Sequence, residues 1–149
     1  MSTDCVVRPA TISDMAEVLK LVRELAEYER APAAVTATLE TYQTCFRDGV
    51  FASLVAESAE GIVGTAIYYQ TFSTWKGPMM YLEDFVVSEA YRGQGIGMQL
   101  FDAFITEARA AGAVMCKWQV LHWNAPAIRF YKRLPVVFDE EWIDVKYYF

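Results

Sequence analysis

Three glycines at alternate positions, Gly93, Gly95 and Gly97, stand between two apolar patterns of the chain. Upstream, residues 79–87 form an apolar run that predicts a buried strand carrying two carboxylates. Downstream, residues 98–111 repeat apolar side chains at a helical spacing. Glycines in such a loop let several backbone N–H groups point one way at a helix N-terminus, where the helix dipole also favours an anion. The pattern therefore predicts a strand, an anion-binding loop and a helix in succession.

Other glycine loops have spacings that this segment does not match. A dinucleotide-binding loop reads G-x-G-x-x-G with an acid about 20 residues further on. Here the loop reads G-x-G-x-G, and the next strand offers Lys117 and Trp118 instead. A Walker loop needs Gly-Lys-Ser/Thr, which does not follow these glycines. A turn that needs glycine for its geometry alone stays open as an alternative.

Length and charge restrict the class of partner. The 149 residues predict a single domain over residues 1–149, and the 54% of hydrophobic residues suffice for a core. The net charge of −6 argues against nucleic acid, because phosphate binding needs a basic patch. The same balance suits a small cationic substrate, although many proteins are mildly acidic for solubility.

The cysteines and the one histidine predict neither a metal site nor a disulfide framework. Cys5, Cys45 and Cys116 are widely spaced and odd in number, and His122 is the only histidine. Residues 1–4 have no leader pattern, and no apolar run reaches about 18 residues, so no membrane partner is expected. We therefore expect a cytoplasmic protein with free thiols.

The remaining patterns predict six further strands and three further helices. Caps are predicted at Thr11 (with Asp14), at Thr36 and at Asn124, which begin helices ending near Tyr28, before residues 48–49 and near Lys132. Strands are predicted at residues 5–8, 51–57, 62–72 and 114–121, and as two strands within 136–149 around a turn at 139–141. The order β-α-α-β-β-β-α-β-α-β-β indicates an α+β fold with a mixed, mostly antiparallel central sheet flanked by helices.

Arg92, Gly95 and Gly97 form the pattern Arg-x-x-Gly-x-Gly, which resembles the acyl-CoA pyrophosphate loop of the GNAT superfamily of N-acetyltransferases. The element order is also that of the GNAT-like acyl-CoA N-acyltransferase fold. The opening VRPAT at 7–11 looks like that of the family. Four strings resemble its diamine acetyltransferase branch, which includes spermidine/spermine acetyltransferases and thialysine-acetylating relatives: LAEYE at 25–29, YYQTFSTW at 68–75, YLEDF at 81–85 and WNAPAIRFYKR at 123–133. The chain departs from the family at Leu134-Pro135, where glycine is usual, and in a shortened stretch before Trp142.

The resemblance implies acetyl-CoA as co-substrate and a homodimer. It implies that backbone groups of one strand hold the pantetheine arm, exposed by a bulge that separates this strand from the next. The amides of the glycine loop would hold the pyrophosphate, and Arg92 would add a charge-assisted contact, with a surface ion pair as its alternative. The implied contacts are Phe85, Val86, Val87, Arg92, Gly93, Gln94, Gly95, Ile96, Gly97, Met98, Asn124, Ala125, Pro126, Ala127 and Tyr131.

Glu83 is the candidate base for acetyl transfer to an amine. A primary alkylamine has a pKa of about 10 and must lose a proton before it attacks. A carboxylate in an apolar strand gains affinity for that proton through desolvation. Strand alternation places Glu83 on one face with Tyr81, Phe85 and Val87, and Asp84 on the other, unless a bulge intervenes. An ion pair, or cation binding without proton transfer, are the alternatives.

Tyr131 lies seven residues, or two helical turns, after Asn124, so both lie near one face of a helix. The resemblance makes Tyr131 the general acid that protonates the CoA thiolate and makes Asn124 a CoA contact. A core aromatic residue beside Phe130 and a plain N-cap are the respective alternatives.

Acidic and aromatic residues could together bind a cationic substrate: Tyr28, Glu29, Trp75, Glu83 and Asp84. We therefore expect an acetyl-CoA-dependent N-acetyltransferase for a polyamine, a diamine or a thialysine-like amino acid, acting by direct attack in a ternary complex. Cys116 could suggest an acetyl-cysteine intermediate, but its place within a predicted strand favours packing. The rivals are a protein or peptide acetyltransferase and a non-catalytic CoA-binding regulatory protein.

Overall fold

The computed structural model describes residues 4–149 and divides the chain into two units. The first unit ends at Gln119 and contains all five strands, and the second unit is Val120–Phe149 with one α-helix. The prediction of a single domain stays a prediction. Residues 1–3, which entered the expectation of a leader-free N-terminus, lie outside the described residues.

The five strands form one sheet in sequence order. They are β1 (Val6–Pro9), β2 (Ala52–Ser58), β3 (Gly61–Ser73), β4 (Gly77–Val87) and β5 (Met115–Lys117). Neighbours pair antiparallel except β4 and β5, which are parallel and are joined through a helix. The predicted α+β class, the mixed and mostly antiparallel sheet and the hairpin between β2 and β3 are confirmed.

Three of the four α-helices begin close to a predicted cap. The four are α1 (Met15–Tyr28), α2 (Leu39–Arg47), α3 (Ile96–Ala110) and α4 (Ala125–Lys132), and α3 begins two residues before the predicted range 98–111. The backbone N–H of Thr11 donates to Asp14 Oδ2 at 2.7 Å, which confirms the capping pair, although one 3-10 turn precedes α1. The cap of α2 is Thr38 and not Thr36, because a 3-10 turn at Pro32–Ala34 delays the helix until Thr38 Oγ1 can accept from the Thr41 N–H.

Helices α1 and α3 cover opposite faces of the sheet. On one face, α1 buries Met15, Val18 and Val22 against Val55 and Ile67. Tyr68, which follows Ile67 in β3, points to the opposite face of the sheet. There it packs edge-on against Phe104 of α3, with ring centroids 5.4 Å apart. None of the helices within residues 4–149 is long and apolar enough to cross a membrane.

A β-bulge interrupts the ladder between β3 and β4. Tyr68 pairs with Leu82, whereas Ile67, the next residue of β3, pairs with Asp84. Glu83 is therefore an extra residue on β4. Because directly paired residues share a face, Asp84 lies on the Ile67 face and Phe85, which is paired with Ala66, lies on the α3 face. The alternation predicted for a strand without a bulge, with Glu83 beside Phe85 and Val87 and opposite Asp84, therefore does not hold, because the inserted residue reverses the phase of the strand.

Two predictions near the C-terminus are wrong. Strand β5 is limited to three residues, and none of the described residues within 136–149 forms a strand. The turn at 139–141 is present, because the Glu141 N–H donates to Asp139 Oδ1 at 3.0 Å. A strand requires a ladder partner and buries at least one face. Here Tyr147 and Tyr148 are 87% and 81% exposed, so neither of the two alternating faces is covered.

Candidate functional site

The glycine loop has a backbone conformation that only glycine adopts readily. After the 3-10 turn Glu89–Tyr91, Gly93 and Gly95 have φ of +75° and +83°, and α3 begins at Ile96. A Cβ at Gly93 or Gly95 would meet no atom within 4 Å, so dihedral preference and not crowding selects glycine there. The first turn of a helix has N–H groups without intrahelical acceptors, which suit a pyrophosphate. The loop thus fits the anion-binding role that its sequence predicts.

Arg92 connects the loop to the end of α1. Its Nε donates to the Val87 carbonyl at 2.9 Å, and its guanidinium lies 5.5 Å from the centroid of the Tyr28 ring. Arg92 has no ion pair among the described residues 4–149, so the alternative of a surface ion pair is not observed. Sequence reasoning missed the contact with Tyr28, since no local pattern places residues 28 and 92 together.

The pairing between strands β4 and β5 ends at the middle of β4. Their parallel ladder covers only Met79–Tyr81 and Met115–Lys117, whereas the ladder of β4 with β3 continues to Val87. The end of this pairing agrees with the separation that the family resemblance implies. It lies immediately before the bulge, and Phe85, Val86 and Val87, the residues predicted to contact the pantetheine arm, follow it without a partner in β5.

The bulge brings Glu83 and Asp84 to one face of the sheet. Glu83 is exposed and accepts a hydrogen bond from the Tyr69 hydroxyl at 2.7 Å. Asp84 is half-buried. Its pKa is raised to about 6, first by desolvation and then by the negative charges of Glu83 and Glu29. The sequence predicted that Glu83 would be desolvated by burial, but in the structure the carboxyl that is partly buried is that of Asp84.

Two tyrosines that sequence reasoning missed accompany these acids. Burial, together with the charges of Asp84 and Glu83, raises the pKa of Tyr42 to about 12, against an opposite effect of Arg23. Desolvation and then the hydrogen bond to Glu83 raise the pKa of Tyr69, whose ring stacks on Tyr81 at 5.5 Å. No role was predicted for Tyr42, which lies within the second predicted helix. Tyr69 lay within a string that carried the resemblance, but no role was predicted for it.

The predicted substrate residues are only partly brought together. Glu29, at the end of α1, acts electrostatically on Asp84, and burial raises the pKa of Glu29 itself. Tyr28 is 37% exposed under Arg92. Trp75 is 82% exposed at the tip of the β3–β4 hairpin. It lies eight residues before Glu83, and the six strand steps from Gly77 to Glu83 alone span about 20 Å. The structure therefore groups Glu29, Glu83 and Asp84 and places Trp75 apart from them.

The second unit contains Asn124 and Tyr131 on helix α4. Asn124 Oδ1 accepts from the Ala127 N–H at 3.3 Å, which confirms the predicted cap, and Pro126 stands in the first turn. Tyr131 is 7% exposed, and its ring is edge-on to Phe130 at 5.7 Å. The hydrogen bond from Ala127 fixes the start of α4, and the contact with Phe130 fixes the ring of Tyr131. The roles of both residues toward acetyl-CoA stay predictions.

The fold, the glycine loop, the short pairing of β4 with β5 and the carboxyl pair together define a class. The chain belongs to the acetyltransferase (GNAT) family, whose model matches residues 15–134. It is an N-acetyltransferase, and acetyltransferases of this family use acetyl-CoA as co-substrate.

Curated relatives lie in the branch that the sequence resembles. The chain is 38% identical over 141 residues to a thialysine N-epsilon-acetyltransferase of Bos taurus, a match that covers 86% of this chain and 81% of that protein. It is 34% identical over 137 residues to spermidine/spermine N(1)-acetyltransferase-like protein 1 of Homo sapiens, with 84% of this chain but 19% of that protein covered.

A solved structure confirms the fold. An aminoglycoside acetyltransferase from an uncultured soil metagenomic sample, in complex with trehalose, matches with a TM-score of 0.81 and 20% identity over 97% of this chain and 96% of that one. Among residues 4–149, no cluster of three or more histidine, cysteine or acidic side chains is arranged to hold a metal ion.

Proposed function

We propose that the chain transfers the acetyl group of acetyl-CoA to a primary amine of a small cationic molecule, namely a polyamine, a diamine or a thialysine-like amino acid. The observation that carries this proposal is the carboxyl pair at the bulge. Within residues 4–149 neither Glu83 nor Asp84 has an ion-pair partner. Glu29 adds a third acid near the same face. A half-buried carboxyl without a cation is costly, and an ammonium substrate supplies the missing charge.

The names of the relatives agree with this substrate class. Thialysine acetyltransferases and a spermidine/spermine acetyltransferase-like protein match most of this chain. Tyr28 and Glu29 at the end of α1, with Glu83 and Asp84, form the proposed amine site. Trp75 lies along the hairpin from these acids, so we place it at the far end of an extended substrate, where its ring can hold a second cation.

Several segments of the chain are acetyl-CoA contacts in this proposal. The N–H groups of Gly93 to Met98 hold the pyrophosphate, while Phe85 to Val87, beyond the last residue of β4 that pairs with β5, hold the pantetheine arm. Asn124 to Ala127, at the start of α4, and Tyr131 are further proposed contacts of acetyl-CoA. The family model covers residues of both units, which supports their acting as one acetyltransferase domain.

Acetyl-CoA supplies the acetyl group as a thioester, and the chain supplies proton transfer and orientation. The carboxyl pair binds the ammonium and removes its proton, directly or through water. The neutral nitrogen then forms a bond to the carbonyl carbon as the carbon–sulfur bond breaks, and Tyr131 protonates the departing thiolate. Direct attack in a ternary complex is favoured over an acetyl-cysteine intermediate for two reasons. Burial raises the pKa of the Cys116 thiol, and Cys116, in β5, is paired with Met80 of β4. A cytoplasmic homodimer completes the proposal.

The test is CoA release at steady state with spermidine, spermine, putrescine, thialysine, lysine and a lysine peptide. We expect one small amine to react well, and Tyr131→Phe to lower kcat about 100-fold or more, the size of general acid–base catalysis. The neighbouring Phe130→Leu, which removes a ring of α4 but no hydroxyl, is the matched control. Reaction with the peptide alone would favour a protein acetyltransferase, and acetyl-CoA binding without any turnover would favour a regulatory protein.

A further inference from the structure

We propose that the two neighbouring carboxyls have different tasks, in which Asp84 accepts the proton of the amine and Tyr69 holds Glu83 in place as a fixed anion for the ammonium. The inference rests on the proposed function and assigns its proton transfer to one residue. It differs from the sequence prediction, which gave the base role to Glu83. Tyr69 becomes a positioning residue that acts through Glu83.

The contact between Tyr69 and Glu83 fixes one carboxylate. The hydroxyl oxygen of Tyr69 lies 2.7 Å from Glu83 Oε2, a short bond between a phenol donor and a carboxylate acceptor. Stacking on Tyr81 at 5.5 Å fixes the tyrosine ring in turn. Because the pKa of Tyr69 is raised, its hydroxyl keeps its proton near neutral pH and continues to donate. Glu83 thereby offers its other oxygen to a cation from a fixed position at the surface.

Asp84 has the environment that proton transfer needs. It is half-buried, and within residues 4–149 its carboxyl has neither a hydrogen-bond donor nor an ion-pair partner. The charged and titratable groups around it include Glu83 on its own strand, Tyr69 on β3, Glu29 at the end of α1 and Tyr42 on α2, with Arg23 of α1 acting on Tyr42. This negative surrounding favours the uptake of a proton by Asp84 and leaves no protein hydrogen bond to be broken first.

The proton and electron count closes with these residues. The ammonium N–H bond breaks and an O–H bond forms on Asp84, which leaves a neutral amine beside the charge of Glu83. The nitrogen lone pair forms the new C–N bond, and the C–S pair leaves with sulfur, which takes a proton from the Tyr131 hydroxyl. The acylated nitrogen then loses its second proton, which returns to the Tyr131 phenolate directly or through water, so that Tyr131 is restored. Asp84 then releases its proton to solvent, so that one proton is released per turnover.

The test compares pH profiles of Asp84→Asn, Glu83→Gln and Tyr69→Phe with wild type, using the amine that reacts best. We expect Asp84→Asn to lower kcat at least about 100-fold and to remove the fall of kcat/KM toward low pH. Glu83→Gln keeps that acidic limb and raises KM for the amine about tenfold, the factor that loss of about 1.4 kcal/mol of binding produces. Tyr69→Phe changes KM in the same direction by a smaller factor and keeps kcat.

The matched control is Tyr68→Phe, because it removes a hydroxyl from the adjacent residue on the opposite face, where Tyr68 packs on Phe104. It should leave the amine KM and the acidic limb unchanged. Thermal unfolding of each variant identifies any that fails to fold. Independently of turnover, infrared difference spectra should show a carboxyl that titrates in wild type and is missing in Asp84→Asn.

Two results would overturn the assignment. One is loss of the acidic limb in Glu83→Gln with the limb intact in Asp84→Asn, and the other is an equal change of KM in Tyr68→Phe and Tyr69→Phe. Failure of the wild type with every small amine is a different result, since it removes the proposed function itself.

Discussion

Two sets of acidic side chains lie on the sheet face that α1 covers. A cationic side chain neutralises the first set, whereas the second set has no such partner. At the start of α1, Asp14 is buried and bound bidentately by Arg8, at 2.7 and 3.1 Å, and Arg8 also reaches Glu57 at 2.8 Å. At the bulge of β4, Glu83 accepts a hydrogen bond from the Tyr69 hydroxyl, and Asp84 lies beside the like charge of Glu83. The first arrangement contributes to stability. The second retains negative charge that a substrate can neutralise, which distinguishes a binding site from a structural ion pair.

The pKa values of the two aspartates express this difference. The Arg8 guanidinium lowers the pKa of Asp14, so its stabilisation is present above the unfolded pKa and is lost as the pH falls through the folded one. Burial raises the pKa of Asp84 to about 6, so the folded state binds a proton that the unfolded state has already released between about pH 4 and 6. The contribution of Asp84 therefore lowers the stability of the fold as the pH rises through that window. The contribution of Asp14 raises the stability as the pH rises.

The largest effect should come from Asp14→Asn. Replacement leaves the Arg8 guanidinium without its bidentate partner and weakens the cap at Thr11, so we expect a loss of about 3 kcal/mol of unfolding free energy at neutral pH. Chemical denaturation measures it. Asp102→Asn, an exposed aspartate on α3, is the matched control. A loss no larger than that of the control would show that Asp14 is not stabilised by its partners.

A smaller effect of opposite sign should come from Asp84→Asn. Removal of an uncompensated, half-buried charge should raise the free energy of unfolding at pH 8 by about 1–2 kcal/mol, which is less than the full pKa shift corresponds to, because solvent screens the partly exposed side chain. The gain should diminish toward pH 4, where Asp84 is protonated in both states. Denaturation curves at several pH values measure this trend. A variant that is less stable than wild type at pH 8 would contradict the contrast between the two groups.

The smallest effect should come from Glu57→Gln, which removes the exposed partner of Arg8. The side chains of Arg8 and Glu57 are 30% and 46% exposed, so water and salt screen the pair. We expect a loss of about 0.5 kcal/mol that disappears at high ionic strength. In the same salt titration, the Asp14→Asn variant should keep most of its larger loss of unfolding free energy. Equal losses in the two variants would mean that burial does not separate the two contacts.

Features set by neighbouring residues could be predicted from the sequence, whereas features set by distant partners could not. Asp14 caps Thr11 three residues away, Asn124 caps its own helix, and the glycine loop needs positive φ at Gly93 and Gly95, all of which are local requirements. The bulge depends on how β4 pairs with β3, so strand alternation alone predicted the wrong face for Asp84. Alternation near the C-terminus likewise predicted strands at 136–149 without a partner to form them.

The bulge also has a genetic consequence. Glu83 is the one residue of this part of β4 without a partner in β3, and the pairs Tyr68–Leu82 and Ile67–Asp84 on either side of it are adjacent in β3. Deletion of Glu83 alone would therefore leave a regular ladder in which Asp84 and Phe85 keep both their partners and their faces. A single codon thus separates an ordinary antiparallel sheet from one that presents two adjacent acids on the same side, and an ancestral strand could gain or lose this chemistry without repacking its core.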